Sequence, residues 1–338
     1  MTTTLFFLVP IGMLAVVWSL CFVGVCLPTT GLAGPPYSNV ILQEPSLIAY
    51  WPLSDFPNSP PPAGAPALPP PPQGSTGLGT ALDLSGNNHN GTYIAPPGYQ
   101  SGTTVPQIGA NPTLNLHQDS IVPGDAVAQG SKNLPACVDF EGGYVNIPWA
   151  ANSPSLTDFT FEAWVEPKWT VTGFNWIVFS ARTNNNTGFV IHINEQNQWQ
   201  LSIGNGTAIV AINTGVPASV NGVLTYVAVT FKSASQVLSL WINPSSDSDS
   251  NTPPPPTPAW PPSPATTTTY VAIDPTQPVT FFIGAGDNQD AQTPRTQAGG
   301  PGAPLLPFQG KIQSVALYNT ALDPTDLAAH FADGAEAG

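Results

Sequence analysis

In "VDFEGG", Asp139 and Glu141 stand two residues apart, so on a strand both carboxylates project from one face. Glycoside hydrolysis uses such a pair, one group as nucleophile or base and the other as acid. Here no third carboxylate or flanking Trp extends the series, and the constellation is incomplete. A second cluster, "DLSGNNHNGT", sets Asp83, Ser85, Asn87, Asn88 and Asn90 around Gly86. Hard oxygens on a tight turn suit Ca²⁺, with Asp83, Asn87 and Asn90 as the candidate ligands. The same residues also suit a glycine turn held by Asx hydrogen bonds. A third set is aromatic: Trp169, Trp176 and Trp199, with Asn185 of "RTNNNTG", have the types that stack on and hydrogen-bond a sugar. Against this, tryptophans of β-sandwiches are mostly core.

Other chemistries lack their residues. The sequence shows no Ser/His/Asp series, His-Glu-x-x-His motif or glycine-rich phosphate loop. His192 in "HINEQ" is read as a residue on a strand face, and Cys137 as a small buried hydrophobe. Six Lys and Arg against twenty Asp and Glu give a net charge of -14, which excludes nucleic acid as the expected partner.

The elements that must position these groups are strands. Period-two segments run at 47–53, 136–140, 144–148, 158–167, 175–182, 188–194, 198–204, 207–213, 223–232, 236–243, 279–286 and 310–318. So many short strands without intervening helices predict a two-sheet antiparallel sandwich, an all-β fold. Proline-rich insertions at 56–77 and 243–269 interrupt it as surface loops, and 93–135 reads as another long connection. One helix is predicted at 322–334, with Asp323 as N-cap, Pro324 in the first turn and Gly334 as its end. On it Leu327, His330 and Phe331 share a face for packing on the sandwich. In "LTDFTFEAWVEPKW", Phe159, Phe161, Ala163 and Val165 point one way and Thr160, Glu162, Trp164 and Glu166 the other. Trp164 is expected in the core with its N–H paired, and Trp169, past Pro167, is left free for a ligand.

Residues 5–27 carry no charge and as a helix would reach about 34 Å, enough to span a membrane. The length and the missing basic residues ahead of Leu5 favour an uncleaved anchor over a signal peptide. The next Lys or Arg is Lys132, so nothing holds the downstream chain in the cytoplasm. The expected layout is an anchor and linker at 1–34 and one extracytoplasmic domain at 35–338, periplasmic or on the cell surface.

Taken in order, several segments resemble the concanavalin A-like lectin/glucanase superfamily and its laminin-G-like jelly rolls. They are "AYWPLSD" (49–55), "ALDLSGNNHNGTY" (81–93), "VDFEGGYVNIP" (138–148), "FTFEAWVEP" (159–167), "YVAVTF" (226–231) and "FQGKIQSVALYNTALDPTDLAAHF" (308–331). Together they extend over about residues 45–333, and the two proline-rich loops have no counterpart in the pattern. The resemblance implies a jelly roll with a closing strand and helix. It also implies a structural Ca²⁺ completed by an acidic residue in the closing strand, where this chain has Gln313 and Ser314. The expected function is binding without catalysis, to a glycan or to a protein. The alternatives are an accessory subunit of a larger membrane complex and, least favoured, a glucanase-type enzyme.

Overall fold

The computed structural model describes residues 37–58, 76–95, 113–123, 136–149, 153–168, 176–183, 185–219, 222–243, 269–274, 279–286 and 306–335, with isolated positions between them. All lie in the unit Gly34–Gly338. Residues 5–27, Trp169 and much of both proline-rich loops lie outside the described residues.

Among the described residues, short helices, α1 (Tyr37–Ile41) and α2 (Pro324–Ala335), bracket fifteen strands. One sheet has β13 (Val237–Ile242), β12 (Thr225–Lys232), β7 (Phe159–Pro167), β15 (Gln309–Tyr318), β5 (Ala136–Glu141) and β4 (Thr113–Asp119) in that order, with β1 (Leu47–Trp51) also on β15. The other runs β11 (Ile209–Pro217), β10 (Gln198–Gly204), β9 (Thr187–Ile193), β8 (Trp176–Thr183), β14 (Val279–Ile283), β6 (Tyr144–Trp149), β3 (Gly91–Ala95) and β2 (Thr76–Ala81). Every pairing is antiparallel, so the fold is the expected two-sheet sandwich with a short C-terminal helix.

Period-two alternation decides what each sheet buries. Phe159, Phe161, Ala163 and Val165 of β7 enter the main core, as their phase predicts. There Phe159 stacks on Phe189 at 4.1 Å and Phe161 meets Phe179 at 4.9 Å, joining β7 to β9 and β8 across the sandwich. Each such aromatic pair adds about 1 kcal/mol beyond its buried area.

The opposite phase of β7 lies beneath α2. Trp164 is 2% exposed there, between Tyr226 at 5.3 Å and Phe331 at 5.8 Å. Contrary to expectation its N–H has no partner among the described residues, because the indole is enclosed by rings. Gly334 also differs from its expected role as a stop. It lies inside α2, and a Cβ there would fall 2.4 Å from the Trp164 ring, so glycine is what lets the helix approach. Asp323 holds the N-cap position as predicted, its carbonyl accepting from Leu327 N–H at 3.2 Å, while the side-chain bond at this end is made by Asp326, whose Oδ2 accepts from Asp323 N–H at 3.3 Å.

Candidate binding face

The eight-stranded sheet carries its distinctive chemistry on the side turned away from the core. One register row crosses it, from Thr80 through Thr92 and Asn146 to Phe282. It continues through Ser180, Val190 and Ser202 to Ala211 at the edge. His192 lies in the next row, between Gln200 and Ile177. None of these side chains is an acid, a Lys or an Arg.

Several of the polar groups are buried without a partner among the described residues: Thr92 Oγ1, Asn146 Oδ1, Ser202 Oγ and both ring nitrogens of His192. A buried polar atom left unsatisfied costs roughly 1–3 kcal/mol, so several on one face call for an explanation. Burial pushes the His192 imidazole down to about 4, so it is neutral at pH 7 and offers one donor and one acceptor. Phe282, half-buried at the middle of the row, sits between Asn146 and Ser180. The band combines neutral hydrogen-bonding groups with an aromatic surface, the pairing that suits a polyhydroxylated, uncharged ligand.

The residues singled out from sequence fall elsewhere. Trp176 and Trp199 are each 1% exposed and belong to the main core, so neither offers a ring to a sugar and that expectation is corrected. They occupy the core-facing phase of the strands whose other phase carries Ser180 and Ser202. Asn185 is exposed on the β8–β9 turn, where its N–H donates to Thr183 Oγ1 at 3.2 Å. The band was missed because its residues are the ordinary polar phase of their strands. The one legible signal was His192, read as a face residue.

Asp83, Asn87 and Asn90 are brought together, but as a hydrogen-bonded turn between β2 and β3. Asp83 Oδ1 accepts from the N–H groups of Tyr50 and Ser85, each at 2.9 Å, and Oδ2 from that of His89 at 2.8 Å. Asn90 Oδ1 takes the Asp83 N–H at 2.9 Å, and Asn87 Nδ2 donates to the Ile48 carbonyl at 3.1 Å. Oxygens facing N–H donors are a poor fit for a hard cation. Nor does the closing strand add a ligand, since Gln313 Oε1 accepts from Ile121 N–H at 2.8 Å. Among the described residues no group of three or more His, Cys, Asp and Glu is placed to hold a metal ion.

Asp139 and Glu141 do share the outer phase of β5, on the other sheet, with Lys311 across from Asp139 and Glu166 beyond it. Cys137 on the same phase donates to the Asp119 carbonyl at 3.0 Å, and burial pushes its thiol up to about 12, which removes it as a nucleophile.

Sequence reading did not identify a second buried cluster, under α2. Glu162 is fully buried and accepts hydrogen bonds from the hydroxyls of Tyr226 and Tyr318. His330 Nδ1 lies 3.1 Å from Glu162 Oε2, and Nε2 lies 3.2 Å from Glu44 Oε1. Burial alone would lower His330, but the charges and hydrogen bonds of Glu162 and Glu44 outweigh it and raise the imidazole to about 9. Burial alone would raise Glu162, yet the His330 charge and the hydrogen bonds hold it below its ordinary value. The cluster is an ion-pair joint between the sheet and both ends of the domain.

Solved structures resemble the chain at low identity. A Bacteroides ovatus protein whose crystal structure was solved at 1.50 Å is 14% identical, with 52% of this chain and 40% of that one covered and a TM-score of 0.35. Domain 4 of the extracellular GH43 arabinanase AbnA from Geobacillus stearothermophilus, solved with arabinotriose, is 16% identical over 73% of this chain and 91% of that one, with a TM-score of 0.40. A Trypanosoma rangeli sialidase with the inhibitor DANA is 13% identical over 84% and 32% of the two chains, with a TM-score of 0.44. This chain thus spans less than half the length of the Bacteroides and Trypanosoma chains. None of the curated proteins matches. A laminin-G-like family model matches residues 139–328, more than half of the chain, and with the two-sheet fold it places this protein in the concanavalin A-like lectin/glucanases superfamily.

Proposed function

We propose that the chain is a non-catalytic binding module that takes a neutral glycan on the outer face of its eight-stranded sheet. The observation that carries this reading is the set of buried polar atoms without partners on that face, Thr92 Oγ1, Asn146 Oδ1, Ser202 Oγ and the His192 nitrogens. Sugar hydroxyls both donate and accept and so match these groups in type; Asn146 and Phe282 are the partly exposed points of approach, since His192 and Ser202 are each 1% exposed. The absence of charged side chains from the band selects against sulfated or uronic glycans, which need cationic partners. The support for binding without reaction is that Asp139 and Glu141 lie on the other sheet, with Lys311 across from Asp139.

The test is a glycan array probed with the full chain in detergent, followed by calorimetry on the hits. Binding to neutral oligosaccharides is expected, with Asn146→Ala and His192→Ala each weakening it about tenfold, the equivalent of one lost hydrogen bond of about 1.4 kcal/mol. Asp139→Asn and Glu141→Gln should leave binding unchanged. Release of reducing sugar by the parent, abolished by either of those two substitutions, would overturn the reading.

We also propose that residues 5–27 anchor the module in a membrane with the domain outside the cytoplasm. The support is the uncharged run itself and the lack of any Lys or Arg from there to Lys132. Among the described residues no helix is long and apolar enough to cross a membrane. The full chain is expected to stay with membranes through alkaline carbonate washing. Release into the wash, with a mature N-terminus beyond residue 27, would refute the anchor.

A further inference from the structure

Asparagine followed at the second position by Thr, with any residue but Pro between, is an acceptor sequence for N-linked oligosaccharide. The chain has three: Asn90-Gly91-Thr92, Asn185-Asn186-Thr187 and Asn205-Gly206-Thr207. An acceptor must offer its amide nitrogen to a bulky donor and then leave room for the sugar, and the fold treats the three differently.

Asn90 is 4% exposed, and its Oδ1 takes the Asp83 N–H at 2.9 Å. Gly91 packs on β6 so closely that a Cβ there would fall 2.6 Å from Val145 Cγ1, and the Thr92 hydroxyl is buried. A sugar on Asn90 has no way out of this turn. Asn185, by contrast, is exposed on the β8–β9 turn, which holds it by the backbone through its N–H to Thr183 Oγ1. Asn205 is half-buried on the β10–β11 turn, followed by exposed Gly206, Thr207 and Ala208. Its Oδ1 accepts from the N–H groups of Thr207 at 2.9 Å and Ala208 at 2.8 Å. Glycosylation takes place at Nδ2 and leaves both lone pairs of Oδ1, so the turn survives it. The two turns are also fastened to each other: Gly206 N–H donates to the Asn186 carbonyl and Asn186 Nδ2 to the Thr207 carbonyl, each at 2.9 Å. The fastening is made by the neighbours of Asn185 and Asn205, and the two acceptor nitrogens take no part in it.

We propose that Asn185 and Asn205 are acceptors of N-linked oligosaccharide and that Asn90 is not, so that two glycans stand on adjoining turns of the sandwich. The proposal rests on the reading that the domain lies outside the cytoplasm. In the transfer, Nδ2 bonds to the anomeric carbon of a lipid-pyrophosphate-linked oligosaccharide as the anomeric C–O bond breaks. The lipid pyrophosphate leaves with the electron pair, and Nδ2 gives up one proton.

The test is synthesis of the full chain in the presence of endoplasmic-reticulum vesicles, which hold the transferase and its lipid-linked donor, with glycans counted by gel mobility before and after peptide N-glycosidase. Two glycans are expected on the parent and on Asn90→Gln, and one on Asn185→Gln and on Asn205→Gln. Thr207→Val should also lose one glycan while keeping Asn205, and Thr207→Ser should restore it, which separates loss of the acceptor from loss of the fold. A domain sealed inside the vesicles against added protease yet carrying no glycan overturns the proposal and leaves its location outside the cytoplasm standing. A domain digested by that protease overturns the location and the proposal together. A glycan that disappears in Asn90→Gln overturns the choice of sites.

Discussion

Glu162 has no exposed surface, and its charge is sustained by three donors: Tyr226, Tyr318 and His330. Such an arrangement makes stability depend on pH, and the sign differs from group to group. His330 is raised from 6.5 to about 9, so its contribution is complete below pH 6.5 and lost as pH rises through 9, worth roughly 3 kcal/mol. Glu162 is held low, so its contribution is present above 4.5 and fades as pH falls. His192 runs the other way from His330: depressed from 6.5 to about 4, it contributes fully above 6.5 and loses that contribution as pH falls toward 4. Melting temperature followed by calorimetry is therefore expected to peak near pH 6.5. His330→Gln should lower the peak and flatten the alkaline decline, and His192→Gln should flatten the acid decline. A His330→Gln profile parallel to the parent's would show that the imidazole is not charged in the folded state.

The β2–β3 turn works as a fastener between elements. Its Asp83 carboxylate ties β1, through Tyr50, to the sheet that holds β2 and β3. Asp83→Ala should cost about 3 kcal/mol, since it leaves buried N–H groups unpaired. A chelator should leave the melting temperature of the parent unmoved. A fall on chelation, reversed by Ca²⁺ and absent in Asp83→Ala, would instead make the turn a cation site. Elements rich in branched and aromatic residues were legible from sequence, because alternation writes the core phase directly into β7, β9 and β12. By contrast, β2 is "TGLGTA", whose two glycines have no side chain to mark a phase, and β4 is a bulged seven-residue strand inside what reads as a connection. The candidate band was hidden for a different reason: Thr92, Asn146 and Ser202 lie far apart in sequence and fall in one row only through register. Pairing of Glu162 with His330 was equally invisible, since Glu162 reads as the solvent phase until α2 is laid over it.

For the molecule as a whole, twenty Asp and Glu against six Lys and Arg make the chain acidic, while the stretch from 196 to 231 carries no charged side chain. The joint around Glu162 also has a mechanical consequence. It holds Glu44, just after α1, against His330 of α2, so the chain enters and leaves the domain at one pole. Tension arriving from upstream of Tyr37 is then borne by the buried Tyr37 and Ile41 of α1 and by the Glu44–His330–Glu162 joint before it reaches the β1–β15 ladder. Above pH 9, with His330 neutral, the joint loses its ion pairs and α1 is held by its buried Tyr37 and Ile41, so the path of force through this pole carries a proton-set link.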